Sequence, residues 1–310
     1  MLPAHGSSPV VVKMAGSGRR FDYLAGHGGA DVRVIGLPAM TQLASARADR
    51  ARPVHVGDHL RQWRQRRHLS QLDLALDAEI SARHLSFVET GRAAPSRDMV
   101  LKLAERLDVP LRERNVLLVA AGYAPAFQQR PLEDPALKPA REAMTVVLKA
   151  HEPNPAVAVD RHWNLVAANR MIGPLLAGVP ERLLAPPLNV LRLALHPDGL
   201  AARTVNLAEW SSHLLERLHR QCEATADAEL LKLYEELKSY PIPARSAPLA
   251  ADSVVIPLRL RVGTDVLSFF STTMVFGTPV DVTLSELALE TFFPADDLTA
   301  ARLREMVTAL

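Results

Sequence analysis

The chain has 310 residues, 48% of them apolar, and 36 Lys and Arg stand against 34 Asp and Glu for a formal net charge of +2. That length suits two domains, and the near-balanced charge excludes a histone-like polycation while leaving room for local basic patches. The single cysteine, Cys222, cannot form an internal disulfide, no Cys/His cluster has zinc-ligand spacing, and no apolar run nears the ~20 residues that span a bilayer; the expectation is a cytoplasmic protein with no metal and no membrane segment.

Residues 1–53 are rich in Gly, Ala, Arg and Ser, carry no sustained hydrophobic period and lack the apolar core of a secretion signal. They read as a disordered N-terminal extension, within which Met40 is an alternative start. Residues 54–126 read as five short helices. In "GDHLRQWRQRRHL", Leu60 and Trp63 share a face, with Arg61, Arg64, Arg66 and Arg67 around them. "SQLDLALDAEISARHLSFVETGR" then holds two stubby helices. Ser70 and Ser81 are placed to cap them, Leu74, Ala75, Ala78, Leu85 and Val88 form their inner sides, and Gly91 supplies a positive-φ exit. Ser96 starts a fourth helix with Met99, Val100, Leu103 and Leu107 on one face, and "LRERNVLLVAAGYAP" closes on Gly122.

Two helices this short cannot stand alone. Packed against their neighbours, they leave Ala82, Arg83, Ser86 and Phe87 outward on the second one, with His84 at its flank. A compact helical scaffold that presents the N-terminal half of one helix has helix-turn-helix geometry. Such a helix fits the major groove, where Arg matches guanine O6 and N7. Arg92 and Arg97 flank the exit and suit phosphate contacts. One short helix covers few base pairs, which predicts a homodimer on a two-fold DNA operator.

Residues 127–139, "FQQRPLEDPALKP", read as a proline-bearing linker, and 140–310 as an α+β domain on an antiparallel sheet. "AREAMTVVLKAHEP" is an amphipathic helix. "PAVAVDRHWNLVAAN" predicts two strands joined near Asp160–His162, with Asn169 capping a following helix. "NVLRLAL", "LAEWSSHLLERLHRQCEA" and "DAELLKLYEELKSYP" are helical, and the segments from "DSVVIPLRLRV" to "VDVTLSELALETFFPAD" are strand-like. No Gly-x-Ser-x-Gly elbow accompanies Ser211, Ser212 and His213, and no Walker, Rossmann or zinc signature occurs, so the expectation is a protein that is not an enzyme.

The motifs "SQLDLA", "SARHLSFVETGR" and "AERLDVP" resemble the XRE-type helix-turn-helix of bacterial repressors in its five-helix form. That resemblance implies that Gln71 holds a phosphate, that Ala82, Arg83 and Phe87 face bases, and that Arg64 pairs with Glu89; Ser81 and Ser86 complete the expected DNA-binding set. Glu79 departs from it, since that turn position is often Gly; a left-handed Glu79 costs on the order of 1 kcal/mol. "LRERNVLLVAAGYAP", "LHPDGLAARTVNLAEW" and "FGTPVDVTLSELALETFFPAD" extend the likeness to regulators of the MmyB-like class, in which a PAS-like ligand-binding domain follows. The likeness implies no cofactor but an apolar small-molecule effector, with a fatty acid first among candidates, in a pocket lined by residues such as Trp163, Leu191, Phe270, Met274 and Phe276. A carboxylate head needs a polar partner, and Arg192, His196, Arg203, His213 and Arg217 are available, with Arg192 and His213 foremost. The rival reading is an antitoxin-like regulator whose second domain binds another protein.

Overall fold

The computed structural model describes residues 33–34, 55–243, 255–277 and 279–309. The expected disorder of residues 1–53 lies outside the described residues except at β1 (Arg33–Val34), which pairs with Ala168 and Ala167. The five predicted helices are α1 (Val56–Arg66), α2 (Gln71–Asp77), α3 (Ala82–Glu89), α4 (Arg97–Arg106) and α5 (Leu111–Ala120).

Local chemistry sets their ends. Ser70, Ser81 and Ser96 each accept a backbone N–H from the first turn of α2, α3 and α4. His55 does the same for α1 through Nδ1, with Asp58 reaching back to its N–H. Glu79 does adopt the left-handed conformation, at φ 52°, and its carboxylate meets Lys102 at 2.7 Å on α4. Gly91 leaves α3 at φ 71°. The apolar stripes converge on one core that includes Leu60, Leu74, Leu85, Leu103 and Leu118. The start of α1 lies so close to the end of α3 that a Cβ on Gly57 would sit 2.3 Å from the Val88 carbonyl oxygen.

A 3-10 turn at Pro135–Leu137 leads into α6 (Lys138–Ala150). There follow β2 (Ala156–Val159), β3 (Leu165–Ala168), α7 (Ile172–Leu175), α8 (Glu181–Leu184), α9 (Val190–Leu195), α10 (Leu207–Thr225) and α11 (Ala228–Lys238). The chain ends with β4 (Leu258–Val262), β5 (Asp265–Val275), α12 (Val282–Ser285), β6 (Ala288–Pro294) and α13 (Asp297–Ala309). Among the described residues the strands form one antiparallel sheet in the order β1-β3-β2-β6-β5-β4. Met144 and Leu148 of α6 cover one face with Ala156, Ala158 and Val166. The other face carries Val157, Leu165, Leu260 and Phe269 and packs on α9, α10, α11 and α13. Burial on both faces explains why β2 is buried at every position.

Two expectations need correction, and one helix was not anticipated. Asn169 does not cap a helix through its side chain. It is buried, takes the Ala156 N–H, and donates to the Leu148 and Asn154 carbonyls, pinning the hairpin to α6. The stretch "VDVTLSELALETFFPAD" is not all strand: Asp281 caps the short α12 before β6 begins. The C-terminal helix α13 went unread, although Leu303 seats it in the core.

Gly57→Ala should destabilise the helical unit by about 1–3 kcal/mol through overpacking against backbone that cannot move aside. Urea denaturation of the full chain, followed by far-ultraviolet circular dichroism, checks this.

Candidate functional site

The first candidate surface is the outward side of α3. Arg83 is exposed, and its guanidinium lies 5.3 Å from the centre of the Phe87 ring one turn on. The Phe87 ring thus lies within cation–π reach of Arg83. Ala82 and Ser86 are half-buried beside them, Ser81 is exposed at the helix start, and Arg92 and Arg97 are exposed beyond its exit.

The back of α3 is held by a buried ion pair. Arg64 Nε and Nη2 lie 2.6 and 2.9 Å from Glu89 Oε1 and Oε2, and Nη1 donates to the Leu69 carbonyl. The Glu89 hydrogen bond raises the Arg64 pKa, against the opposing effect of burial. Gln71 donates its amide to Glu89 Oε2 at 2.7 Å, so this nitrogen braces α2 against α3; a phosphate contact from Gln71 would fall to its remaining groups. The arginine run on α1 is largely structural too. Arg67 donates to the Leu107 and Asp108 carbonyls and to the Ala224 carbonyl at the end of α10, and Arg66 and Arg67 lie over Trp63.

The second candidate site is a cavity of about 120 Å³ between the sheet and α7, α9 and α10. Trp163, Leu191, Leu193, Trp210, Leu214 and Phe269 supply much of its apolar wall. Trp163 and Leu191, which the resemblance assigned to a pocket, both line this cavity. Phe270, Met274 and Phe276 do not, because the opposite face of β5 looks into the cavity through Phe269 and Ser271. Phe270 stacks on Phe293, Phe276 packs on the α6 side, and Met274 is exposed. Alternation had shown which residues share a face; apolar side chains on both faces left the side undetermined.

The polar candidates separate in the same way. Arg192 is turned to α11, where Nε and Nη2 each lie 2.7 Å from Glu236, the main reason its pKa is raised. His213 stacks on Trp210 outside the cavity lining, and burial, followed by the nearby Arg217 and Arg220 charges, lowers its pKa. Arg203 holds the Leu175 carbonyl. Arg217 is the residue that reaches the cavity, together with Glu290, which sequence reasoning missed. Arg217 Nη1 and Nη2 lie 2.9 and 2.5 Å from Glu290, Nη2 also donates to Thr273 Oγ1 at 2.7 Å, and the guanidinium covers the Trp163 ring at 4.6 Å. One glutamate in a strand reading "ALETFF" offered no pattern by which to find it.

Trp163 sits in a tight turn. Asp160 accepts the N–H groups of His162 and Asn164, and Trp163 takes a left-handed φ of 67° that costs roughly 1–2 kcal/mol. Its indole N–H donates to Gln221 of α10 at 2.7 Å. The preceding residues of this turn face the helical unit. Arg161 lies 3.2 Å from Asp227 and 3.9 Å from Glu286, and His162 Nε2 lies 2.9 Å from Asp227. Glu286 is also gripped by Arg112 of α5, at 2.7 and 2.8 Å. The segment between α5 and α6 is strapped down alongside, where Val282 donates to the Gln128 carbonyl and Arg130 pairs with Asp281 at 3.1 Å.

A helix-turn-helix unit joined to an α+β domain with an apolar cavity is the build of a transcription regulator with its own ligand-binding domain. A family model for the MmyB-like transcription regulator ligand binding domain matches residues 140–306, and one for the helix-turn-helix matches residues 60–114. The chain belongs to the MmyB-like family of transcription regulators. No curated protein matches it. No helix among the described residues is long and apolar enough to cross a membrane.

Removing one member of the buried Arg64–Glu89 pair should cost about 3–5 kcal/mol, because the survivor is left charged and unpartnered. Arg64→Met combined with Glu89→Leu should cost clearly less than the sum of the two. A double-mutant cycle on equilibrium unfolding gives the coupling; strictly additive losses would mean that the pair contributes nothing as a pair.

Proposed function

We propose that the protein is a cytoplasmic, homodimeric, sequence-specific DNA-binding regulator, whose hold on its operator is set by an apolar small molecule in the cavity beneath Trp163. The observation that carries this reading is one turn, Asp160–Asn164, with two faces: Trp163 in the cavity wall, and Arg161 and His162 on the carboxylates beside Arg112 of the helix-turn-helix unit. A guest that presses on the indole moves the same few residues that position α5. Energetic coupling of about 1–3 kcal/mol between two such sites is ordinary.

An acyl chain, as in the fatty acid that the family resemblance implies, suits the wall. The cavity volume is near that of an engineered apolar cavity of about 150 Å³ that accepts benzene. A short chain therefore enters with little change, and a longer one must part the leucines or extend through the mouth. Each methylene buried contributes about 0.8 kcal/mol, and a bound guest raises the melting temperature by mass action. Across saturated chains from hexyl to octadecyl, the thermal shift should climb to a maximum and then fall. A flat profile, with a polypeptide co-purifying instead, would favour the protein-interaction reading.

On DNA, Arg83 is assigned to a base edge and Arg92 and Arg97 to phosphates. Arg83→Ala should cost roughly 1–3 kcal/mol on the cognate site and relax its sequence preference. Arg92→Ala should weaken all sequences alike and flatten the dependence on salt. Fluorescence anisotropy on cognate and scrambled duplexes over a salt series separates the two. The coupling itself is tested by Arg112→Gln, which should leave guest binding intact and erase the guest's effect on DNA affinity. An effect of undiminished size in that variant would exclude this route between the sites.

A further inference from the structure

The cavity carries a charge pattern that bears on which guests it admits. Among its described lining residues, Arg217 is the one cation and Glu290 the one anion, and each is committed to the other. The Glu290 side chain is 5% exposed, with Oε1 receiving both Arg217 Nη2 and Thr273 Oγ1 and Oε2 receiving Arg217 Nη1. The remaining polar lining groups, Thr204 and Ser271, are neutral, and the Thr204 hydroxyl already donates to the Leu200 carbonyl. The polar end of an otherwise apolar chamber is thus electrically balanced before any guest arrives.

A carboxylate head group upsets that balance. To pair with Arg217 it must displace Glu290, stranding a buried negative charge, or join it and leave two carboxylates around one guanidinium in low-dielectric surroundings. An uncharged head meets neither difficulty. Three of the five N–H groups of a guanidinium are engaged here, two by Glu290 and one by Thr273. The other two remain to donate to a hydroxyl or to an amide or ester carbonyl oxygen. The guanidinium lies over the Trp163 ring, which together with Glu290 restricts where those donors can swing.

We propose that this cavity selects acyl-chain molecules whose head group is uncharged (an alcohol, amide or ester) over the corresponding carboxylates, and that Glu290 is the residue that sets the selection. This deepens the sensor reading above and rests on it.

The test compares octan-1-ol, octanamide and octanoate, which share a chain length scaled to the cavity, against the full-length protein at pH 8, where octanoate is ionised. Quenching of tryptophan fluorescence reports binding, since Trp163 and Trp210 both line the chamber. The wild type should bind octan-1-ol and octanamide at least tenfold more tightly than octanoate. Glu290→Gln keeps the shape, removes the resident charge and leaves Arg217 unpaired, so the preference should reverse or close to within about twofold. If the wild type binds octanoate as tightly as the neutral pair, or if Glu290→Gln leaves the ratio unchanged, the selection rule is wrong while the apolar-sensor reading stands. If none of the three binds, both are overturned. The wild-type ratio decides the matter even if the variant does not fold.

Discussion

A carboxylate taken out of water has to be given a cation and its full set of hydrogen bonds, and the helical unit is arranged around meeting that condition at Glu89. Its side chain is 1% exposed, with Arg64 of α1 and Gln71 of α2 both committed to it. Because the partners come from two other helices, α3 cannot rotate or slide without uncovering the charge. The consequence is on the far side of α3. There Arg83 and Phe87 face away from the protein, and Arg92 and Arg97 stand free at the exit. The outward side of α3 is what remains of the helix once its back has been fixed.

The same solution recurs in the second domain, joining parts of the chain that are distant in sequence. Glu286 takes Arg112 across the junction between the two units, and Glu290 takes Arg217 between β6 and α10. These two glutamates lie four positions apart, one at the end of α12 just before β6 and one within β6. A single stretch of backbone therefore touches both the helix-turn-helix unit and the cavity. The Asp160–Asn164 turn makes a parallel link, with Arg161 at the junction and Trp163 at the cavity. The sheet holds these two links side by side, and burial on both of its faces makes it a stiff frame rather than a hinge.

Stiffness at the frame also locates the adaptable part of the molecule. Beside the long α10, the cavity wall opposite the sheet is built from short helices, α7 and α9, and their connections. These elements are too short to be rigid by themselves. A guest that needs more room meets less resistance there than at Phe269 or Trp163, which are fixed by neighbouring strands and by Gln221.

What the sequence by itself determined is local. Ser70, Ser81 and Ser96 announce helix starts because a capping hydroxyl acts within three residues of itself, and Gly91 announces an exit because positive φ is a property of one residue. The five-helix unit, its inner leucines and the antiparallel sheet were legible for that reason, and likeness of motif supplied Arg64–Glu89. The tertiary structure decided everything that depends on which surfaces meet. Alternation grouped Phe270 and Met274 on one face of β5, with Phe276 just past its end, yet only packing against α10 turned Phe269 and Ser271 to the cavity instead. Arg192 and Arg217 were both available to a head group on paper, with Arg192 preferred. Glu236 and Glu290 claimed them in different places, and an ion pair spanning 73 residues leaves no periodic trace in a sequence.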